Sequence, residues 1–82
     1  MNELAYGLLI EVIEAESIAQ EKLFAMFSVE RKDLIDAMNA NIINQFVEPL
    51  IGKDDIYYIP LQRGRDEFKS RQLPPDNTDI PF

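Results

Sequence analysis

Two pairs of carboxylates are the residues in this sequence whose type and spacing are closest to those of a catalytic or metal-binding site. Glu11 and Glu14 are three residues apart, as are Asp33 and Asp36, so each pair would share one face of a helix. The 82 residues include no histidine and no cysteine, which removes the commonest general base, the commonest transition-metal ligand and all thiolate chemistry. Solvated helix faces routinely carry such acid pairs. The sequence therefore predicts a protein that is not an enzyme and that binds neither a metal nor a cofactor.

The elements that must position these acids are predicted to be two long helices. Apolar residues recur at helical spacing over residues 3–27 and again over residues 29–47. Ser28 suits the N-cap of the second helix, and Pro49 suits its end. The connection between the helices is tight, so the expected fold is mainly α, an antiparallel helical hairpin.

Glu16 and Asn39 both interrupt the apolar stripes of these helices. In a hairpin that turns at residues 27–28 they would lie opposite each other. We expect them to form one buried polar layer, of the kind that fixes helix register or oligomeric state. A small ligand site lined by the same two side chains is the alternative.

The segment after the hairpin is predicted to be short and partly extended. Residues 53–55 read as a turn, and residues 56–61 are rich in β-branched and aromatic side chains. Pro60 would confine that run to an edge strand or an extended arm. Residues 63–71 hold four of the eight basic residues, and Asp66 could cap a single helical turn that runs through Phe68 to Arg71. We expect them to pair with the acidic helices, with a phosphate or an acidic partner as the alternative.

Chain length predicts a dimer. Two amphipathic helices cover only one side of each other, and a chain of this size has little else with which to bury the remaining stripe. Pairing two hairpins into a four-helix bundle would complete the core. The expected organisation is a domain over residues 1–72 that forms a homodimer, followed by a flexible, Pro-rich acidic tail over residues 73–82.

The net charge of -7 limits the partners. The acidic charge of the two predicted helices argues against direct contact with nucleic acid, because such contacts depend on basic residues that bind phosphates. Glu11, Glu14 and Glu21 would instead form an acidic face able to occupy a basic groove on another protein. No apolar run is long enough to span a membrane, so neither an anchor nor a signal peptide is indicated and the cytoplasm is expected.

The last residues carry a motif with a known counterpart. The sequence ends in Asp79, Ile80, Pro81 and Phe82, with Asp76 and a proline pair before them. This end resembles the acidic tip of bacterial single-stranded-DNA-binding proteins. The resemblance implies a terminal phenylalanine that enters an apolar pocket on a replication or repair protein, and aspartates that meet its basic rim.

A weaker resemblance lies in the middle of the chain. Residues 16–19, 30–34 and 44–51 together resemble a helical segment near the C-terminal part of Mu-type phage portal proteins. It implies an origin in a phage or prophage.

The expected function is that of a small acidic protein-interaction module whose C-terminal tip docks in a pocket of a replication or repair protein. One alternative is an inhibitor of the anti-defence type, whose acidic helical face blocks a basic nucleic-acid-binding groove. Another is a structural or assembly module of a phage particle.

Overall fold

Seven short elements, rather than two long helices, make up the fold. The computed structural model describes residues 3–72. The elements are α1 (Glu3–Ala15), β1 (Ile18–Ala19), α2 (Gln20–Ala25), α3 (Arg31–Ile43), β2 (Val47–Ile51), β3 (Ile56–Pro60) and α4 (Gln62–Gln72). The predicted mainly-α hairpin is wrong, because a three-stranded sheet interrupts it.

The first predicted helix breaks at Glu16. This residue has a φ of 65°, in the left-handed region, and its N–H donates to the Val12 carbonyl at 2.8 Å. That is the αL arrangement that closes a helix. The chain turns out of α1, pairs briefly as β1 and starts α2, so one predicted helix is in fact a helix, a strand and a second helix.

The second predicted helix ends early for the same reason. Gln45 has a φ of 63°, the Phe46 N–H donates to the Asn41 carbonyl at 2.9 Å, and the Gln45 N–H donates to the Ile42 carbonyl at 3.0 Å. These two bonds form a Schellman motif, usually built on glycine. The helix therefore stops four residues short of the predicted end, and the chain enters β2.

The sheet is antiparallel with strand order β1-β3-β2. The predicted edge strand is wrong, because β3 lies in the centre, and Pro60 is tolerated as its last residue. Pro49, read as a helix stop, lies within β2 opposite Tyr58. Because β2 is an edge strand, the missing N–H of Pro49 leaves no bond of the sheet interior unmade.

The turn predicted at residues 53–55 joins β2 to β3. The Gly52 N–H donates to the Asp55 carbonyl at 2.8 Å, and the Asp55 carboxylate accepts the Ile56 N–H at 2.7 Å. The result is a β-hairpin whose turn carries Lys53, Asp54 and Asp55.

The core lies between α1, α3 and the inner face of the sheet. Its largest fully buried side chains are Leu8, Leu9, Val12, Leu23, Met38, Val47 and Asn41. The sheet covers the stripe that a second hairpin was expected to cover. The predicted four-helix bundle of two copies is therefore wrong.

The basic segment forms α4, a helix of eleven residues instead of a single turn. Its polar side chains bond along the helix: Gln62 donates to Asp66 at 2.9 Å, and Arg71 pairs with Glu67 at 2.9 Å. The Arg71 guanidinium also lies over the Tyr6 ring of α1, 4.7 Å from its centroid. The expected pairing of this segment with the acidic helices is replaced by contacts within α4 and one cation–π contact.

Candidate nucleic-acid interface

Helices α2 and α3 form a unit in which one side of α3 is buried and the other is open. Residues 26–30 connect the two helices. On the inner side, α2 buries Leu23 and Phe24, and α3 buries Leu34, Ala37, Met38 and Asn41. This is a helix-turn-helix arrangement, in which the second helix is the one free to enter a groove.

The outward side of α3 carries a polar ridge. Lys32, Asp36, Asn39 and Ile43 recur at helical spacing opposite the buried residues, and all four are exposed, Ile43 by 79%. At 1.5 Å per residue the ridge is about 16 Å long. Within the part of the chain that the structure describes, its three polar side chains make no hydrogen bond or ion pair. Their donors and acceptors are available to a ligand.

Arg31, the first residue of α3, is held in place. Its Nη2 donates to the side-chain oxygen of Gln20 at 3.0 Å and lies 3.3 Å from the Glu21 carboxylate. Its guanidinium also stands over the Phe24 ring, 5.4 Å from the centroid. Three residues of α2 thus fix the start of α3.

The same region connects to the sheet. Gln20 donates from its amide to the Tyr58 hydroxyl at 2.8 Å, and the Tyr58 side chain is buried. The Asp55 carboxylate of the β2–β3 turn lies 3.4 Å from the Glu21 N–H, in the first turn of α2. The hairpin, α2 and the start of α3 are therefore linked by polar contacts, so their relative positions are fixed within one unit.

Asn41 is the polar residue buried on the inner side of α3. Its Nδ2 donates to the Ala5 carbonyl at 2.9 Å, while its Oδ1 is buried without a hydrogen-bond partner among residues 3–72. This contact attaches α3 to α1. Its spacing from Leu34 and Met38 places Asn41 on the buried stripe of α3.

The predicted polar layer does not form. Glu16 and Asn39 are both exposed, Glu16 at the left-handed end of α1 and Asn39 on the outward ridge of α3. With neither side chain buried, they also do not line the alternative ligand site.

The predicted acidic face is divided between helices. Glu11, half-buried, and Glu14, exposed, lie on α1, whereas Glu21 lies on α2 and is paired with Arg31. The three carboxylates do not share one helix face.

The predicted tip lies outside the described residues. It consists of Asp76, Asp79, Ile80, Pro81 and Phe82. The three pieces of the portal-like segment fall on different elements, and its last piece, 44–51, is largely strand β2 rather than helix.

Among residues 3–72, no three acidic side chains come together as metal ligands would. No helix in that range is both long and apolar enough to cross a membrane.

Two solved structures of MarR from E. coli are similar to this chain. One is a cysteine-to-serine mutant of MarR in complex with operator DNA, with a TM-score of 0.78 and 17% identity over 89% of this chain. The other is the oxidised form, with a TM-score of 0.76 and 19% identity over 88% of this chain. This chain shares the winged-helix fold of these two structures. It spans about half the length of those proteins, 55% and 54% respectively. No family model and no curated protein matches it.

This likeness overturns the predicted function and partners. The predicted acidic interaction module without nucleic-acid contact is contradicted, together with its inhibitor and phage-assembly alternatives. The fold is instead shared with a MarR mutant solved in complex with operator DNA. In a winged-helix fold the β2–β3 hairpin is the wing, and here α3 is the second helix of the helix-turn-helix.

Proposed function

We propose that residues 3–72 form a winged-helix module that binds duplex DNA as a regulator does, with α3 in the major groove. The observation that carries the proposal is the outward ridge of α3, whose polar side chains have no partner within the described residues. The shared fold with a protein solved on operator DNA supports it. The proposal keeps the expectation of a non-enzymatic, cytoplasmic protein.

The ridge has chemistry suited to base edges. An asparagine such as Asn39 can pair with both N6 and N7 of adenine, a lysine such as Lys32 donates to guanine, and a carboxylate such as Asp36 accepts from cytosine N4. Ile43 offers an apolar contact for a thymine methyl group. At about 3.4 Å per base pair, the ridge would cover about five base pairs, a normal half-site for one recognition helix.

The charge of this surface predicts weak non-specific binding. Helix α3 contains two bases and two acids, and the hairpin turn contains one base and two acids. The logarithm of the binding constant falls linearly with the logarithm of the salt concentration, with a slope of about -0.9 for each phosphate that the protein neutralises. With only Arg31, Lys32 and Lys53 near phosphates, we expect a slope of log K against log salt of about -3 or shallower.

The test is selection from a pool of random duplexes, followed by anisotropy titration of the selected sequence from 50 to 200 mM salt. Asn39→Ala should weaken binding to that sequence by about tenfold, the lower end of a bidentate base contact, and should relax the preference at one position. Asn44→Ala, at the C-cap of α3 and off the ridge, is the matched control.

Lys32→Ala should weaken binding, whereas Lys69→Ala on α4 should not. Failure to select any sequence, or equal effects of the two asparagine variants and of the two lysine variants, would contradict the proposal.

A further inference from the structure

We infer that Glu21 limits the affinity of this surface for DNA by competing with phosphate for the Arg31 guanidinium. The inference rests on the proposed function. It concerns the ion pair between α2 and the first residue of α3, with an Arg31 Nη2 to Glu21 Oε2 distance of 3.3 Å.

Arg31 is well placed to meet the DNA backbone. Recognition helices approach DNA with their N-terminal residues, and Arg31 begins α3. Its side chain is 54% exposed, and its bonds to Gln20 and Glu21 both run through Nη2, so further donors remain on the guanidinium. An arginine in this position can bind a phosphate oxygen from the solvent side.

Glu21 neutralises that charge in the free protein. The two ion pairs among residues 3–72 are Arg71–Glu67 on α4 and Arg31–Glu21. Of these two pairs, only Arg31–Glu21 involves a basic residue of the proposed interface. Its carboxylate is 69% exposed, and an exposed pair is weak enough for a phosphate to displace. Displacement still costs affinity and leaves Glu21 close to the DNA.

Uncharged contacts would keep Arg31 in place without Glu21. The Gln20 side-chain oxygen accepts from Arg31 at 3.0 Å, and the Phe24 ring lies under the guanidinium. Gln20 is itself fixed by its bond to the buried Tyr58. Removing the Glu21 charge should therefore release a positive charge that remains correctly positioned.

The experiment compares Glu21→Gln with Glu14→Gln, an equal change of charge on α1, using the selected duplex. We expect Glu21→Gln to tighten binding by about two- to fivefold, the range that an exposed ion pair supports. We expect Glu14→Gln to change it by less than about 1.5-fold, because Glu14 is exposed, pairs with no basic residue among residues 3–72 and is screened by salt. The slope of log K against log salt should steepen by up to about 0.9 in Glu21→Gln only, because Arg31 then binds its phosphate without freeing a carboxylate that takes up a counterion in exchange.

The Arg31→Gln background completes the test, with thermal unfolding run on each variant to confirm that it is folded. There, Glu21→Gln should have no more effect than Glu14→Gln. Equal effects of the two glutamate variants in the wild-type background would overturn the inference while leaving the proposed function intact. Weaker binding by Glu21→Gln would overturn it as well, since Glu21 would then position Arg31. If no variant binds any duplex, the proposed function and this inference both fall.

Discussion

Replacing Gly64 with alanine should destabilise this domain, although the same change stabilises most helices. Gly64 lies in α4 against the backbone of Phe46. A Cβ built at Gly64 would lie 2.2 Å from the Phe46 carbonyl oxygen, 2.9 Å from its carbonyl carbon and 3.0 Å from its Cα. All three are backbone atoms, so no change of rotamer can relieve the contact. Helix α4 would have to move by roughly 1 Å to restore an ordinary separation.

The expected loss of stability follows from three contributions. Alanine gains about 1 kcal/mol over glycine in a helix interior. Overpacking of this kind costs about 1–3 kcal/mol. The same Phe46 carbonyl accepts the Leu61 N–H at 2.9 Å, and moving α4 stretches that bond, which is worth about 1 kcal/mol. We therefore expect Gly64→Ala to lower the free energy of unfolding by about 2 kcal/mol and the Tm by roughly 10 °C.

Gly7 provides the control for this prediction. It also lies within a helix, but a Cβ there would meet only the Phe27 ring, at 3.4 Å. Gly7→Ala should therefore raise stability by about 0.5–1 kcal/mol. Both variants are compared with the wild-type protein in urea and thermal unfolding experiments, which are monitored by circular dichroism at 222 nm. If Gly64→Ala is as stable as Gly7→Ala, the close approach of α4 to Phe46 is refuted.

Two further predictions concern stability and use the same urea assay. Glu16→Gly and Gln45→Gly should each stabilise the domain by about 0.5–1 kcal/mol, because both positions have left-handed φ values that glycine adopts without strain; Glu14→Gly, within α1, should destabilise it and serves as the control. Asn41→Asp should cost at least about 3 kcal/mol, because it removes the donor to the Ala5 carbonyl and buries a charge. Asn41→Leu, which keeps the branched side-chain skeleton and removes the unpaired Oδ1, should cost less, and equal losses in the two variants would contradict the role given to the amide.

Helical periodicity identified the cores of α1 and α3, and turn chemistry identified residues 53–55, because both signals are local. The ends of the helices could not be predicted in the same way. Glu16 and Gln45 take the left-handed positions where glycine is the usual signal, so nothing in residue type marked them as stops. Strand β1 is two residues long and is defined by its pairing with Tyr57 and Tyr58, a non-local contact. Once those breaks were missed, the apolar runs read as one long helical hairpin.

The candidate site was missed for a related reason. Its residues have ordinary types for a solvated helix, and only the burial of the opposite side of α3 makes their exposure informative. Asn39 was selected from the sequence, but as a buried partner of Glu16 instead of an outward-facing residue. Asp36 was identified as half of a routine carboxylate pair.

The acidity of the chain and its proposed role are compatible because screening makes electrostatics local. At physiological salt the Debye length is about 8 Å, so exposed carboxylates farther than that from a phosphate at α3 have little influence on it. The charges close to the DNA are then those of α3 and the wing, where basic and acidic residues are nearly equal in number. Their attraction for the phosphates of DNA of arbitrary sequence is therefore weak. The affinity for a cognate site would then depend mainly on base-edge contacts from the ridge. Because a genome offers a very large excess of non-specific sites, a low non-specific affinity raises the fraction of protein available to the correct one. In such a module, releasing Arg31 from Glu21 would strengthen binding to every sequence and would therefore reduce this selectivity.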